Sequence, residues 1–285
     1  MKIADYYEKA EKLHVLCKLC PRECLIADQK RGFCKSRYNQ KGVLYTENEY
    51  LSALALDPIE KKPLFHYHPG QQILSVGASG CNFSCFFCQN YGISQKENNN
   101  HIKKTSEELV EEAVIVKKIG NIGIAYTYSE PVIMYEYMKE TAILAQKAEL
   151  KNVMVSNGYI QEAPLRSLIP YINAFNIDVK AFTEEAYQKH FTASLSEIRR
   201  TIKIISEKEK HLEISCLIVP GINDQPSDAE IFFDWLASIN REIPVHINRY
   251  YPAYQADMPP TSMNVLTAIA HSAKNKMKYV YMGNI

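Results

Sequence analysis

The sequence predicts an α/β fold: a partial (β/α)6-type TIM-like barrel preceded by a cysteine-rich N-terminal subdomain. Three observations carry this expectation. From about Gln71 onward, short apolar runs alternate with amphipathic stretches, the signature of repeated strand–helix–strand units and a parallel sheet. Polar residues gather directly after those runs, where a parallel barrel collects its functional groups. Seven of the eight cysteines lie within the first 88 residues, in a region poor in long periodic segments. Residues 1–70 are accordingly read as the cysteine-rich subdomain and 71–285 as the barrel.

The elements follow in order. Ile73–Gly77 and Ile122–Thr127 read as the first two barrel strands. Similar runs recur at Asn152–Ser156, Ala174–Val179, Leu212–Val219, Val245–Asn248 and Tyr279–Met282. Such continuous apolar runs suit strands buried on both faces. The first helix starts at Thr105-Ser-Glu-Glu, with Thr105 or Ser106 as N-cap and acidic residues in its first turn. Further helices are expected at about 131–148, 161–170, 194–208, 226–240 and 262–275. The residues after the strands (Gly80-Cys81, Thr127–Glu130, Ser156–Gly158, Asp178–Lys180, His246–Asn248) then share one rim around one cavity.

Composition narrows the function. In 285 residues, 46% hydrophobic and 23% charged content suffices for a large core. A net charge of +1 gives no electrostatic case for nucleic acid or an anionic membrane as partner. The charged N-terminal stretch is followed by no apolar leader segment, and no run approaches the roughly 18 apolar residues of a membrane span. The expectation is a cytoplasmic protein, whose tight cysteine clusters bind metal rather than form disulfides.

Cys81, Cys85 and Cys88 stand in a C-x3-C-x2-C loop. Three soft thiolates on a short loop take three corners of an iron–sulfur cubane and leave one iron open. A structural zinc normally takes four protein ligands. The motif, with Phe87 as its aromatic residue, is identified as that of the radical S-adenosylmethionine (SAM) superfamily. With Ala55–Phe65 and Ala125–Pro131, nearly the whole chain resembles the radical SAM proteins of the AmmeMemoRadiSam system, relatives of pyruvate formate-lyase activating enzymes.

The resemblance implies a [4Fe–4S] cluster on Cys81, Cys85 and Cys88, with SAM on the open iron. Reductive cleavage of SAM yields a 5′-deoxyadenosyl radical that takes hydrogen from a substrate. Carried over, Phe87 lies near adenine, while Thr127, Ser129 and Glu130 occupy the segment that holds the methionyl amine. There Tyr128 and Ser129 replace two glycines of the family pattern. Asn157 faces the ribose, and Asp178, Lys180 and His246 match positions near the methionyl group. The positions of Ser156 and Asp178 also help bind a monovalent cation in activases. A one-electron donor such as a flavodoxin or ferredoxin is implied, and a protein substrate fits the activase kinship. An activase that places a glycyl radical on a partner protein is the first reading, and action on a small molecule or on a protein residue other than glycine is the second; a non-catalytic iron–sulfur or zinc module is the alternative from another class. Family members continue past Tyr279–Asn284 into a further cysteine-containing segment, so a chain ending at Ile285 is expected to be a short or truncated form.

Cys17, Cys20, Cys24 and Cys34 supply four thiolates within 18 residues, fitting a closed site for zinc or an auxiliary iron–sulfur cluster. The stretch Asp57–Pro63 reads as a solvated loop, with Lys62 or His66 reaching the rim as the competing placement. Cys216, inside an apolar run, is expected to be a buried small hydrophobe.

Overall fold

The computed structural model describes residues 2–47, 49–96 and 101–285. The N-terminal region is built of short antiparallel strands rather than turns alone. They are β1 (Lys2–Ile3), β2 (Tyr7–Lys9), β3 (Val15–Cys17), β4 (Leu25–Ile26), β5 (Arg37–Gln40) and β6 (Val43–Thr46). They form two three-stranded sheets, ordered β1-β6-β5 and β2-β3-β4. With only two to four residues each, they show no periodicity that a sequence reading could use.

The main sheet has nine strands. Its edge is formed by β7 (Tyr50–Pro58), which pairs antiparallel along β8 (Gln72–Ala78), and by the two-residue β9 (Ile102–Lys103). From β8 the sheet runs on through β10 (Asn121–Tyr126), β11 (Lys151–Ser156), β12 (Ala174–Val179), β13 (His211–Ile218), β14 (Val245–Arg249) and β15 (Val280–Gly283). Every pair from β8 to β15 is parallel. Six crossovers thus join seven parallel strands, and the two ends of the row do not pair with each other. The result is the expected partial barrel. Because β7 pairs with β8, the hydrogen-bonded sheet reaches back across residue 70.

The short α1 (Tyr91–Ser94) lies at the rim, where Ser94 lines the cavity; the other helices are α2 (Ser106–Ile115), α3 (Tyr135–Lys147), α4 (Glu162–Leu168), α5 (Glu184–Phe191), α6 (Leu195–Glu207), α7 (Pro226–Ile239) and α8 (Met263–Lys274). Thr105 caps α2 in a reciprocal capping box with Glu108. Pro226 opens α7 where a missing N–H costs nothing. The helix α5 was not among the expected elements, although Thr183 accepts a hydrogen bond from the Ala186 amide at its start. Among the described residues no helix is long and apolar enough to cross a membrane. Cys216 is fully buried in the core, as expected.

Candidate functional site

The loops at the strand ends enclose one cavity of about 750 Å³, within the usual size range of cofactor and ligand sites. Cys81, Cys85 and Cys88 line it together with Phe87, Thr127, Ser129, Glu130, Asn157, Asp178, Lys180 and His246. The rim predicted from the sequence is therefore a physical neighbourhood.

The cysteine loop is pinned from both sides. Gly80 has φ +104°, and a Cβ there would overlap the Cys34 carbonyl, so only glycine fits. Asn82 donates to the Tyr159 carbonyl at 2.9 Å and accepts from the Asn157 side-chain Nδ2 at 2.7 Å. The Phe83 amide donates to Cys81 Sγ at 3.3 Å. Cys88 Sγ lies 3.1 Å from Ser94 Oγ. Burial pushes the Cys85 thiol up to about 12 and Cys81 well above its ordinary value. Among the described residues no other cysteine lines this cavity.

Glu130 organises the next strand ends. Its carboxylate accepts from Ser156 Oγ at 2.7 Å, the Asn157 amide at 2.9 Å and the Val132 amide at 3.0 Å. Burial pushes its carboxyl up to about 7, against the pull of those three donors. Such a group favours a cationic neighbour. Ser129 is anchored to the Ala78 carbonyl. Ser156 is committed to Glu130 and to the Gly158 amide, while Asp178 is salt-bridged to Lys180. Burial alone would depress the Lys180 ammonium, but Asp178 holds it above its ordinary value.

His246 faces Asp178 through Ser215 in register across three strands. Its Nε2 lies 2.7 Å from Glu213, a residue that sequence reasoning missed. Glu213 is fully buried, and it also pairs with His211 and accepts from the Phe65 and His66 amides. Burial would raise its carboxyl, but these four partners hold it down to about 2. Phe65 packs edge-on against His246, at 4.6 Å between ring centres. His246 is thus a satisfied buried histidine that also forms part of the cavity wall.

The stretch Asp57–Pro63 contributes more than a solvated loop. Lys62 is buried, bonds Asp57 at 2.8 Å, and lies 4.6 Å over the Tyr128 ring, whose hydroxyl also donates to Asp57. Burial lowers the Lys62 ammonium; Asp57 is held below its usual range, where Lys62 and Tyr128 outweigh burial. Tyr128 adopts φ +67°, a strained conformation for an aromatic residue. Asp57, Lys62 and Tyr128 all line the cavity, whereas His66 bonds the Tyr281 hydroxyl at 2.6 Å. Ser215 Oγ and Asn176 Oδ1, also in the wall, are buried and have no hydrogen-bond partner among the described residues. Three thiols, a buried carboxylate, a cation and two orphaned polar atoms in one cavity fit a cluster with a polar, zwitterionic co-ligand.

Cys17, Cys20, Cys24 and Cys34 line a second, far smaller pocket of about 20 Å³, together with Arg22, Arg37, Asn82 and Ile133. Among the described residues, no three His, Cys, Asp or Glu side chains are drawn together tightly enough to close on one metal ion. A cubane places each thiolate on a different iron and does not need that convergence.

The sequence model of the Radical SAM superfamily matches residues 76–233. An uncharacterized protein of Methanocaldococcus jannaschii is 39% identical over 291 residues, spanning 100% of this chain and 86% of its own. The pyruvate formate-lyase 1-activating enzyme of Escherichia coli is 20% identical over 155 residues, 53% of this chain and 62% of its own length. A solved radical SAM methyltransferase from Sphaerobacter thermophilus has a TM-score of 0.58 at 14% identity, covering 76% of this chain and 67% of that one. The chain belongs to the radical SAM superfamily. Membership implies a [4Fe–4S] cluster and SAM as its cofactors, and the activating enzyme is a homologue.

Proposed function

We propose that the large cavity binds a [4Fe–4S] cluster through Cys81, Cys85 and Cys88, with SAM on the iron they leave open. One observation carries the reading: these three thiols share a single wall with every residue matched to SAM contacts. In this reading Glu130, with Thr127 and Ser129, receives the methionyl amine, whose positive charge relieves the cost of the buried carboxylate. Lys180 faces the methionyl carboxylate, Phe87 packs near adenine, and Asn157 faces the ribose; Asp178 and His246 complete that wall. Bound together, cluster and SAM supply a 5′-deoxyadenosyl radical that abstracts hydrogen from the substrate.

The substrate is a residue of a partner protein, as homology to an activating enzyme favours, and a cytoplasmic flavodoxin or ferredoxin supplies the electron. The cysteine-rich subdomain expected over 1–70 ends before β7 in this reading, because Tyr50–Pro58 already pairs into the barrel sheet. Cys17, Cys20, Cys24 and Cys34 bind a second iron–sulfur cluster, with zinc as the alternative. Anaerobic reconstitution with iron and sulfide, then dithionite and SAM, tests the central claim. 5′-Deoxyadenosine is expected from the native chain and not from Cys81→Ala, Cys85→Ala or Cys88→Ala. A fully loaded cluster that never cleaves SAM would make the chain a metal-binding module instead.

A further inference from the structure

We propose that Asp57 and Lys62 are positioning residues: together they hold Tyr128 in a left-handed turn and thereby set Ser129 and Glu130 for the amine of SAM. This rests on the reading of Thr127–Glu130 as the segment that receives that amine. Three features of the structure support it.

The first is a conformation that needs a holder. Tyr128 has φ +67°, a region that glycine enters freely and an aromatic residue does not. Strain of this kind persists only where the surroundings impose it. The turn lies between the end of β10 and Glu130, so it decides where the next two residues point. Ser129 donates from its backbone N–H to the Thr127 carbonyl at 2.9 Å and from its hydroxyl to the Ala78 carbonyl. Glu130 accepts from Ser156, Asn157 and Val132. A relaxed Tyr128 would carry both residues away from these partners.

The second is the holder itself. The Tyr128 hydroxyl donates to Asp57, and the Lys62 ammonium lies 4.6 Å from the centre of its ring. Asp57 and Lys62 are buried and bonded to each other at 2.8 Å. Asn90, at the exposed rim, donates to the Tyr128 carbonyl at 2.6 Å, a bond that water can replace. The anchor is fixed from below: Ile59 and Leu64, on either side of Lys62, are fully buried in a cluster with Ile73, Ala125 and Val153. Lys62 is only 3% exposed and sits against the Tyr128 ring, so its charge serves its neighbours rather than a ligand.

The third is the space made for the tyrosine. In the sheet, β8 lies between β10 and β7, the strand that carries Asp57. The Tyr128 side chain therefore has to cross β8 to reach its acceptor. A Cβ at Gly77, in β8, would lie 2.7 Å from the Thr127 carbonyl and 3.0 Å from Tyr128 Cβ. The bare backbone at Gly77 is what lets the crossing happen. A bulky residue in the turn is thus matched by an empty place beneath it and a buried ion pair at its tip.

The test uses the full chain and two substitutions that leave the ion pair intact. Tyr128→Ala keeps the Cβ that makes the turn costly but loses the ring and hydroxyl that hold it. Tyr128→Gly loses both the holder and the need for one. SAM binding is measured by equilibrium dialysis on cluster-loaded, unreduced protein. Tyr128→Ala is expected to bind SAM at least about tenfold more weakly than wild type, and Tyr128→Gly within about threefold of it. Asp57→Asn should weaken binding at least about tenfold beside Tyr128 and less than about threefold beside the glycine. In cofactor-free protein, Tyr128→Ala should speed amide hydrogen exchange across residues 127–132 at least about tenfold more than in α8.

Tyr128→Ala that binds SAM like wild type overturns the proposal, because the turn then needs no holder. Tyr128→Gly as weak as Tyr128→Ala also overturns it, because the tyrosine then acts on SAM itself. Equal effects of Asp57→Asn in both backgrounds, or equal exchange in the turn and α8, reduce the ion pair to general stability and sink the positioning role. Where Asp57→Asn does not fold, the alanine and glycine variants decide the matter alone. Loaded wild type that binds no SAM sinks the reading of the cavity, and this proposal with it; a failed contrast in wild type that does bind SAM sinks the proposal alone.

Discussion

The two cysteine sites are built on opposite principles. At the barrel rim, three thiols share about 750 Å³ with carboxylates, lysines and orphaned polar atoms. In the N-terminal pocket, four thiols share about 20 Å³ with two arginines, Asn82 and apolar side chains such as Leu19, Ile26 and Val132. The rim is held open by parallel strands whose hydrogen bonds lie elsewhere, leaving side chains free to face a ligand. The pocket is closed by short strands that spend their backbone groups locally. Three ligands beside open space suit a cluster with a free position, as proposed above, whereas four thiols in a tight pocket offer no such position. What joins the two is a single wall, Cys34 against Gly80 and Asn82 beside Cys81.

The hardest way to break the comparison is to remove the buried cation of the pocket. Arg37 and Glu136 are both essentially buried and paired with each other. Arg37→Ala removes the ion-pair partner of buried Glu136, a loss that typically costs about 3–5 kcal/mol. Chemical unfolding should show a loss of that size. If the rim is truly independent, iron bound at Cys81, Cys85 and Cys88 survives in whatever fraction stays folded.

A pH series separates two buried carboxylates of the barrel. The folded-state value of Glu130 is raised from 4.5 to about 7. Below pH 4.5 both folded and unfolded chains hold the proton. Between 4.5 and about 7 only the folded chain does, so stability falls as pH rises. The cost approaches an order of magnitude of 3 kcal/mol, since one unit is about 1.4 kcal/mol. Denaturation midpoints of cofactor-free protein should drop between pH 5 and 8, and Glu130→Gln should flatten the slope. Glu213 has the opposite sign: its value is lowered from 4.5 to about 2. Its contribution is present above pH 4.5 and is lost as pH falls toward about 2.

The shared wall is the third target. Gly80→Ala adds a Cβ at φ +104° and against the Cys34 carbonyl. Strain of this kind costs about 1–3 kcal/mol. Both sites should lose iron together, unlike any single cysteine variant. Loss confined to one site would mean that the wall does not couple them.

Much of the barrel was legible because its strands are buried on both faces and read as unbroken apolar runs, such as Ala174–Val179. The rim was legible for the same reason, since Thr127, Asn157 and Lys180 follow those runs directly. Tyr50–Pro58 was not: it lies near the sheet edge with only two of its nine residues buried, and carries a register shift against β8. Glu213 and His246 are 33 residues apart, and only the closing of β13 on β14 makes them a pair. Asp57, Lys62 and Tyr128 likewise meet through topology, since Lys62 lies 66 positions before its aromatic neighbour in the chain's count from 62 to 128.

The smallest effect is the control that keeps the comparison fair. Thr105 caps α2, which packs on α3 and β10 and contributes to neither cysteine site. Thr105→Ala removes the acceptor for the Glu108 amide, 3.2 Å away, and so costs about 1 kcal/mol. Thermal unfolding should shift by a few degrees, while iron content and SAM cleavage stay at wild-type values. A stability loss of this size that also emptied either site would show that both depend on global stability, and the contrast between them would lose its physical basis.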